Sequence, residues 1–240
     1  MVDSRGERVA DVAVQGGVVV EVGEQLTSGR TIDASGCVVA PGFVDLHAHL
    51  REPGKEEAET IETGSRAGAL GGYTALVAMP NTDPPQDSVA VIDFVREQGK
   101  RAGLVHVVPS GCITLGRQGE SLAPMAELAN AGVTLFTDDG NGVQDAALMR
   151  RALEYAKGLG ITLAQHCEVA ELTKGAVMNE CSCCTDLGLP GWPSIAEELM
   201  VFRDIELVRI TGASMHFLHL STMRSVELVR AAKRDGLAIT

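Results

Sequence analysis

"PGFVDLHAHLREPG", residues 41–54, marks the point where the rhythm of the chain changes. Upstream of it, residues 1–42 read as short strands. "DVAVQGGVVVEVG" runs apolar on both sides of a Gly-Gly turn, and "TIDASGCVVAPG" reads as a second strand–turn–strand piece. Neither carries a helical period. Downstream, strand-like runs recur: "GFVDLHAHL", "YTALVAMP", "LVHVVPSG", "VTLFTDD", "ITLAQHC", "SMHFLHLS" and "LAIT". Between them lie segments of helical spacing, among them "DSVAVIDFVREQGKRAG", "DAALMRRALEYAKGLG" and "TMRSVELVRAAKRDG". Most end in glycine, the usual helix stop. A longer insert separates "LAQHC" from "SMHFLHL".

Alternating strand and helix implies an α/β fold with a parallel sheet. Two closures fit, an open doubly wound sheet or a (β/α)8 barrel. The count reaches seven strand starts, and the seventh, "LAIT", is where the sequence stops. A barrel needs eight. The expectation is therefore a small, partial β domain over 1–42 and a (β/α) unit over 43–240 that is either open or part of something longer.

Composition narrows the function. The chain has 240 residues, 45% hydrophobic, with a formal net charge of −12. An acidic surface repels phosphate backbones, so no nucleic-acid partner is expected. No apolar run nears the roughly 18 residues of a membrane span. "MVDSRGERVA" has no signal-peptide apolar core. These features predict a cytoplasmic protein. The six cysteines do not form a disulfide framework. Cys37, Cys112 and Cys167 sit in apolar stretches and read as reduced, buried thiols. Cys181, Cys183 and Cys184 cluster in "NECSCCTDLG", where one C-x-C-C lacks the two separated pairs of a zinc site and reads as structural or incidental.

Polar residues gather at the C-terminal ends of the apolar runs, the end where parallel α/β folds build their sites. His47 and His49 end the first run, Asn81 follows the second, Asp138 and Asp139 end the fourth, His166 the fifth and His219 the sixth. His47 and His49 are two apart, so on a strand they share one face and can grip one metal ion. Asp45 shares that face lower down. His216 and His219 differ by an odd number, so only one looks into the site. His219, nearer the strand end, is the choice. His216 and His106 read as structural, hydrogen-bonded histidines. Arg51 offers a guanidinium fork suited to a carboxylate. Asn81 either bonds a polar substrate or caps its turn.

Taken in order, "PGFVDLHAHLREPG", "GGYTALVAMPNTDPP", "GVTLFTDDGNGVQD", "AQHCE", "GLPGWPSIAEE" and "HFLHLST" resemble the dihydroorotases of the amidohydrolase superfamily. Their spacing covers nearly the whole chain. Many relatives bridge two metals with a carboxylated lysine from the fourth strand. Here that strand ends in "FTDDG", which resembles the bacterial dihydroorotases with a bridging aspartate.

The resemblance implies a TIM-like (β/α)8 barrel of the metal-dependent hydrolase type, lacking its last strand or strands, plus part of an N-terminal β domain. It implies two Zn2+ per chain: His47 and His49 on one, His166 and His219 on the other, Asp139 bridging, with Asp138 as the alternative bridge. Arg51, Asn81 and His49 would hold the substrate's carboxylate. The implied reaction interconverts dihydroorotate plus water with N-carbamoyl-L-aspartate in pyrimidine biosynthesis. The acid/base aspartate of the family is expected beyond Thr240, so little turnover is expected of residues 1–240 alone. The rival readings are another cyclic-amide hydrolase, such as an allantoinase or hydantoinase, and a non-catalytic scaffold for aspartate transcarbamoylase. Aspartate transcarbamoylase and a second copy of the chain are the implied macromolecular partners.

Overall fold

A computed structural model describes residues 1–27 and 29–240. The chain divides into two compact units, Met1–Phe43 and Val44–Thr240.

In the first unit, β1 (Val2–Asp3) pairs antiparallel with β2 (Gly6–Glu7), and β3 (Asp11–Gln15) with β4 (Val18–Gly23). The β3–β4 hairpin turns on Gly16 and Gly17, with φ of 59° and 80°. Two consecutive positive φ angles are what a two-residue hairpin of this twist requires, and glycine adopts them without a Cβ clash. The strand–turn–strand expected over 31–42 does not form. A strand needs a partner to take up its N–H and C=O groups. Here the backbone contact is Val2 N–H to Val39 O, at 2.8 Å, and Val38 stays exposed. Cys37 is also exposed rather than buried, because no sheet forms there to cover it.

The second unit runs β5 (Phe43–Ala48), α1 (Ile61–Leu70), β6 (Tyr73–Ala78), α2 (Val89–Ala102), β7 (His106–Pro109), α3 (Met125–Asn130), β8 (Leu135–Thr137), α4 (Ala146–Leu159) and β9 (Thr162–Gln165). It continues through α5 (Ala170–Thr173), β10 (Met178–Asn179), α6 (Ser182–Leu187), β11 (Gly191–Trp192), α7 (Ile195–Thr211), β12 (Ser214–Phe217) and α8 (Met223–Arg234). Helix boundaries follow local chemistry. Asp145 caps α4 by accepting the Leu148 N–H at 2.6 Å, and Gly160 ends that helix in the left-handed region. Thr222 caps α8 through the Ser225 N–H at 3.1 Å.

The strands form two runs, β5–β6–β7 and β8–β9–β12. β6–β7, β8–β9 and β9–β12 are parallel. A parallel bridge from Gly111 to Phe136 joins the two runs, with Gly111 N–H to Leu135 O at 2.9 Å and Thr137 N–H to Gly111 O at 2.8 Å. A further bridge sets Ile239, in "LAIT", parallel beside Met215. Seven β segments thus follow one another in a single order.

One face of β6, β9 and β12 is sealed by helices, whereas Phe43, Val44 and Leu46 of β5 are exposed. Leu163, Met215 and Phe217 pack with Met149 and Leu153 of α4 and Met200 and Ile205 of α7. Leu76 and Ala78 pack with Ile61 of α1 and Val95 of α2. Gly111 has no room for a side chain, since a Cβ there would lie 2.7 Å from the Phe136 ring. Because side chains alternate along a strand, burying this set directs the intervening residues to the opposite face.

The insert between β9 and β12 holds structure that the sequence pattern does not reveal. β10 and β11 pair in parallel around α6. α7 has no apolar stripe, because Ile195, Leu199, Phe202 and Ile210 are exposed while Ala196, Met200, Val201 and Ile205 are buried. Apolar residues on all sides erase the period that marks a surface helix. His106 opens β7 and is exposed, because its place at the strand's start leaves it uncovered.

Candidate metal centre

Five side chains from four places in the chain converge at the C-terminal ends of the β segments. His47 in β5 and His49 just past its end come together, with Nε2 atoms 3.1 Å apart. The Asp45 carboxylate accepts the His47 backbone N–H at 2.9 Å and holds the strand end in place. Past β8 comes Asp139, past β9 His166, and past β12 His219. His166 Nδ1 lies 3.1 Å from His219 Nε2.

Asp139 sits between the two pairs and divides its oxygens between them. Oδ2 is 3.5 Å from Nε2 of both His47 and His49. Oδ1 is 3.5 Å from His166 Nδ1 and 3.4 Å from His219 Nε2. Two groups of donor atoms result, His47–His49–Asp139 and Asp139–His166–His219, each within 4.8 Å internally.

The neighbouring aspartate does different work. Asp138 is fully buried, and its carboxylate accepts the N–H groups of Ile113 at 2.9 Å and Thr114 at 3.1 Å, and the Thr114 hydroxyl. It ties the loop after β7 to the end of β8. Asp138 is turned into the protein, and Asp139 toward the histidines.

Electrostatics follow from this packing. Burial acts to raise Asp139, but hydrogen bonds from His166, His219 and His47 outweigh it and hold the carboxyl far below the usual range. Burial alone would lower His166, yet its contacts with Asp139 and Glu168 push it above the ordinary histidine value. Burial pushes His49 down, against its contact with Asn81. Burial also raises Asp138, despite the hydrogen bonds it accepts.

His219 lies beyond the end of β12, with φ of 30°. Strand alternation ends at Phe217, so odd–even spacing does not decide between His216 and His219. His216 bonds Thr240 Oγ1 through Nδ1 at 2.8 Å. Asn81 meets the site directly, its Oδ1 3.1 Å from His49 Nδ1. Arg51 follows with φ of 59°. It forms no salt bridge with the adjacent Glu52, because Glu52 instead accepts the Ile61 N–H at 2.8 Å.

Three supporting residues escape a motif-level reading. Glu168 Oε2 lies 2.9 Å from His166 Nε2, fixing that ring. Its position in "AQHCE" is the one sequence hint of this. Arg117 donates from Nη2 to the Asp139 carbonyl at 2.7 Å. Glu197 accepts the N–H and hydroxyl of Ser221 at 2.9 and 2.7 Å and the Thr222 N–H at 3.0 Å. It thereby anchors the turn after His219. Gly142 makes the close approach between the β8 and β9 loops possible: its φ is 62°, and a Cβ would lie 2.5 Å from the His166 carbonyl oxygen.

The donor set fits a divalent metal. Neutral imidazoles and a carboxylate are the ligands zinc takes. Imidazole nitrogens at 3.1 Å put lone pairs in opposition unless a proton or a cation lies between them. Among the described residues, His47 Nδ1 is, besides, buried without a hydrogen-bond partner.

A family model described as dihydro-orotase-like matches residues 36–225. The dihydroorotase of Mycobacterium tuberculosis is 52% identical over 241 residues, a match covering 98% of this chain and 56% of the relative. That of Citrifermentans bemidjiense is 47% identical, covering 96% and 55%. That of Streptomyces coelicolor is 46% identical, covering 98% and 56%. The chain spans about half the length of the curated relatives it matches. Among solved structures, the L-hydantoinase (dihydropyrimidinase) from Arthrobacter aurescens superposes with a TM-score of 0.78 at 22% identity, covering 99% of this chain and 55% of that one. The D-hydantoinase (dihydropyrimidinase) from Thermus sp. gives 0.71 at 25% identity, covering 96% and 53%. The α/β fold is thus that of the hydantoinases. With a family model matched over most of its length and relatives near half identical throughout, the chain belongs to the dihydroorotase-like family.

Proposed function

We propose that this chain carries the two-metal half-site of a dihydroorotase, which interconverts dihydroorotate plus water with N-carbamoyl-L-aspartate in pyrimidine biosynthesis. The observation that carries the reading is Asp139, whose two oxygens face two separate histidine pairs. His47 and His49 would hold one Zn2+, His166 and His219 a second, and Asp139 both. Bound zinc would supply Lewis-acid polarisation of the ring amide and ionisation of a water near neutral pH.

The chain's own residues do the rest. Glu168 fixes the His166 ring, and Arg117 the Asp139 backbone. Arg51, on the first βα loop, faces the substrate's carboxylate with a fork of donors. Asn81 and His49, already in contact, complete that anchor. Orienting the ring by its carboxylate sets the scissile amide toward Asp139. We read the seven β segments as those of a (β/α)8 barrel. Among the described residues no helix is long and apolar enough to cross a membrane. The free thiols suit a cytoplasmic location.

Equilibrium binding to the zinc-loaded chain tests the reading. Dihydroorotate should bind, and Arg51→Ala should weaken it about tenfold or more while leaving hydantoin, which has no carboxylate, unchanged. Equal binding of hydantoin or allantoin would point to another cyclic-amide hydrolase. A chain that takes up no zinc would favour the scaffold.

A further inference from the structure

Away from the metal centre, three of the six cysteines crowd into one helical turn. Cys181 is the residue before α6, and its Sγ accepts the Cys184 N–H. Cys184 Sγ in turn donates to the Cys181 carbonyl at 2.9 Å and accepts the Cys181 N–H at 3.3 Å. Each of these two thiols is thus bonded to the backbone of the other. Cys181 is exposed and Cys184 buried. We propose that Cys181 and Cys184 are a thiol–disulfide exchange pair, with Cys181 the attacking thiol, Cys184 the resolving thiol and a low-molecular-weight disulfide the oxidant.

The geometry separates the two roles. An attacking thiol must be reachable, and a resolving thiol must be close and shielded from outside competitors. Residues three apart on a helical turn have Cβ atoms roughly 5–6 Å apart, so closing a disulfide takes only a small local adjustment. The hydrogen bond from the Cys184 N–H also lowers the Cys181 thiol below its ordinary value, which raises its thiolate fraction. Cys112 and Cys167 are the contrast, because burial pushes both thiols up. Cys37 is exposed but stands alone.

The exchange balances. Cys181 gives up its proton, and its thiolate attacks one sulfur of the disulfide. A mixed disulfide forms and one thiolate leaves. Cys184 then loses its proton and attacks the Cys181 sulfur, forming the internal disulfide and expelling the second thiolate. The two protons go to the two leaving thiolates. The protein is oxidised by two electrons and the small disulfide reduced to two thiols.

The position of the pair links it to the metal centre. α6 is carried between β10 and β11. Asn179 on one strand and Trp192 on the other line a cavity of about 670 Å³ together with His166, Glu168 and His219. Glu180, next to Cys181, donates its N–H to the Trp192 carbonyl at 2.9 Å. Cys181 is thus two residues along the chain from Asn179, which lines the cavity that holds the second histidine pair, and does not itself line it.

The test uses the reduced chain and glutathione disulfide, followed by alkylation and peptide mapping. The expected product is an internal Cys181–Cys184 disulfide with no lasting adduct. Cys184→Ser should stop at a glutathione adduct on Cys181, and Cys181 should react about tenfold faster than Cys37 in the same sample. A persistent adduct on Cys181 in the unaltered chain, a disulfide through Cys183, or equal rates at Cys37 and Cys181 would overturn the assignment. The unaltered chain supplies these readouts by itself, so a variant that fails to fold leaves the test intact.

Discussion

His219 Nε2 lies 3.4 Å from Asp139 Oδ1, although 80 residues separate them in the chain. The contact exists because β8, β9 and β12 are neighbours in one parallel run, so their C-terminal ends open onto the same place. The same Asp139 carboxylate reaches back to His47 and His49 through its other oxygen.

That division separates two adjacent aspartates by experiment. Asp139→Asn should lower zinc affinity by more than about 100-fold, exceeding the loss typical of an outer-sphere contact, with the fold retained. Asp138→Ala should strand the buried N–H groups of Ile113 and Thr114 and cost about 2–6 kcal/mol of stability. Metal content after dialysis and a denaturant titration measure the two. An exchanged pattern would make Asp138 the ligand.

His166 gives the site a pH signature. Its folded pKa is raised above the ordinary 6.5 by Asp139 and Glu168, against the opposing effect of burial. In the metal-free protein its stabilisation is complete below pH 6.5 and fades as pH rises through the raised value. Zinc needs the neutral ring, so zinc loading should move the opposite way and fall as pH drops through that value. Thermal unfolding of the metal-free chain across this window, with His166→Gln as comparison, checks the sign. A metal-free stability that increases through the window only in the unaltered chain would refute it.

Glu168 should act through His166. Glu168→Ala is expected to reduce zinc affinity about 10–100-fold, and Glu168→Gln to restore part of it, because an amide oxygen can still accept from the ring. Competition with a chromogenic chelator reads the affinity. An unchanged affinity in the alanine variant would remove Glu168 from the site.

Gly142 should not tolerate a side chain. Gly142→Ala would set a Cβ against the His166 carbonyl at a backbone φ of 62°, with an expected cost of about 1–3 kcal/mol. Zinc affinity should fall with it, because relief of the clash displaces His166. Wild-type stability and affinity in this variant would show that the loop yields freely.

Much of the architecture is legible in the residues. The β–α alternation, the Gly16–Gly17 hairpin and the glycine at the end of α4 each follow from short-range rules. Two segments depart from those rules. Residues 31–42 carry strand composition but find no partner to pair with, and Cys37 is left exposed as a result. α7 is hidden in the sequence because apolar side chains surround it, which removes the period that would mark it.

The sequence alone left Asp138 and Asp139 as alternatives for the bridge that a family resemblance implies, and by spacing it placed His47 and His49 on one strand and polar residues at successive strand ends. Those features depend on spacing within a single element. Only the tertiary structure decided that Asp139 turns to the histidines while Asp138 is consumed by Ile113 and Thr114, that His219 leaves the strand before it reaches the site, and that Glu168, Arg117 and Glu197 brace His166, Asp139 and the turn after His219. Each of these depends on which loops meet at the ends of the parallel strands, and that is settled by sheet order and helix packing across the whole unit rather than by any local pattern.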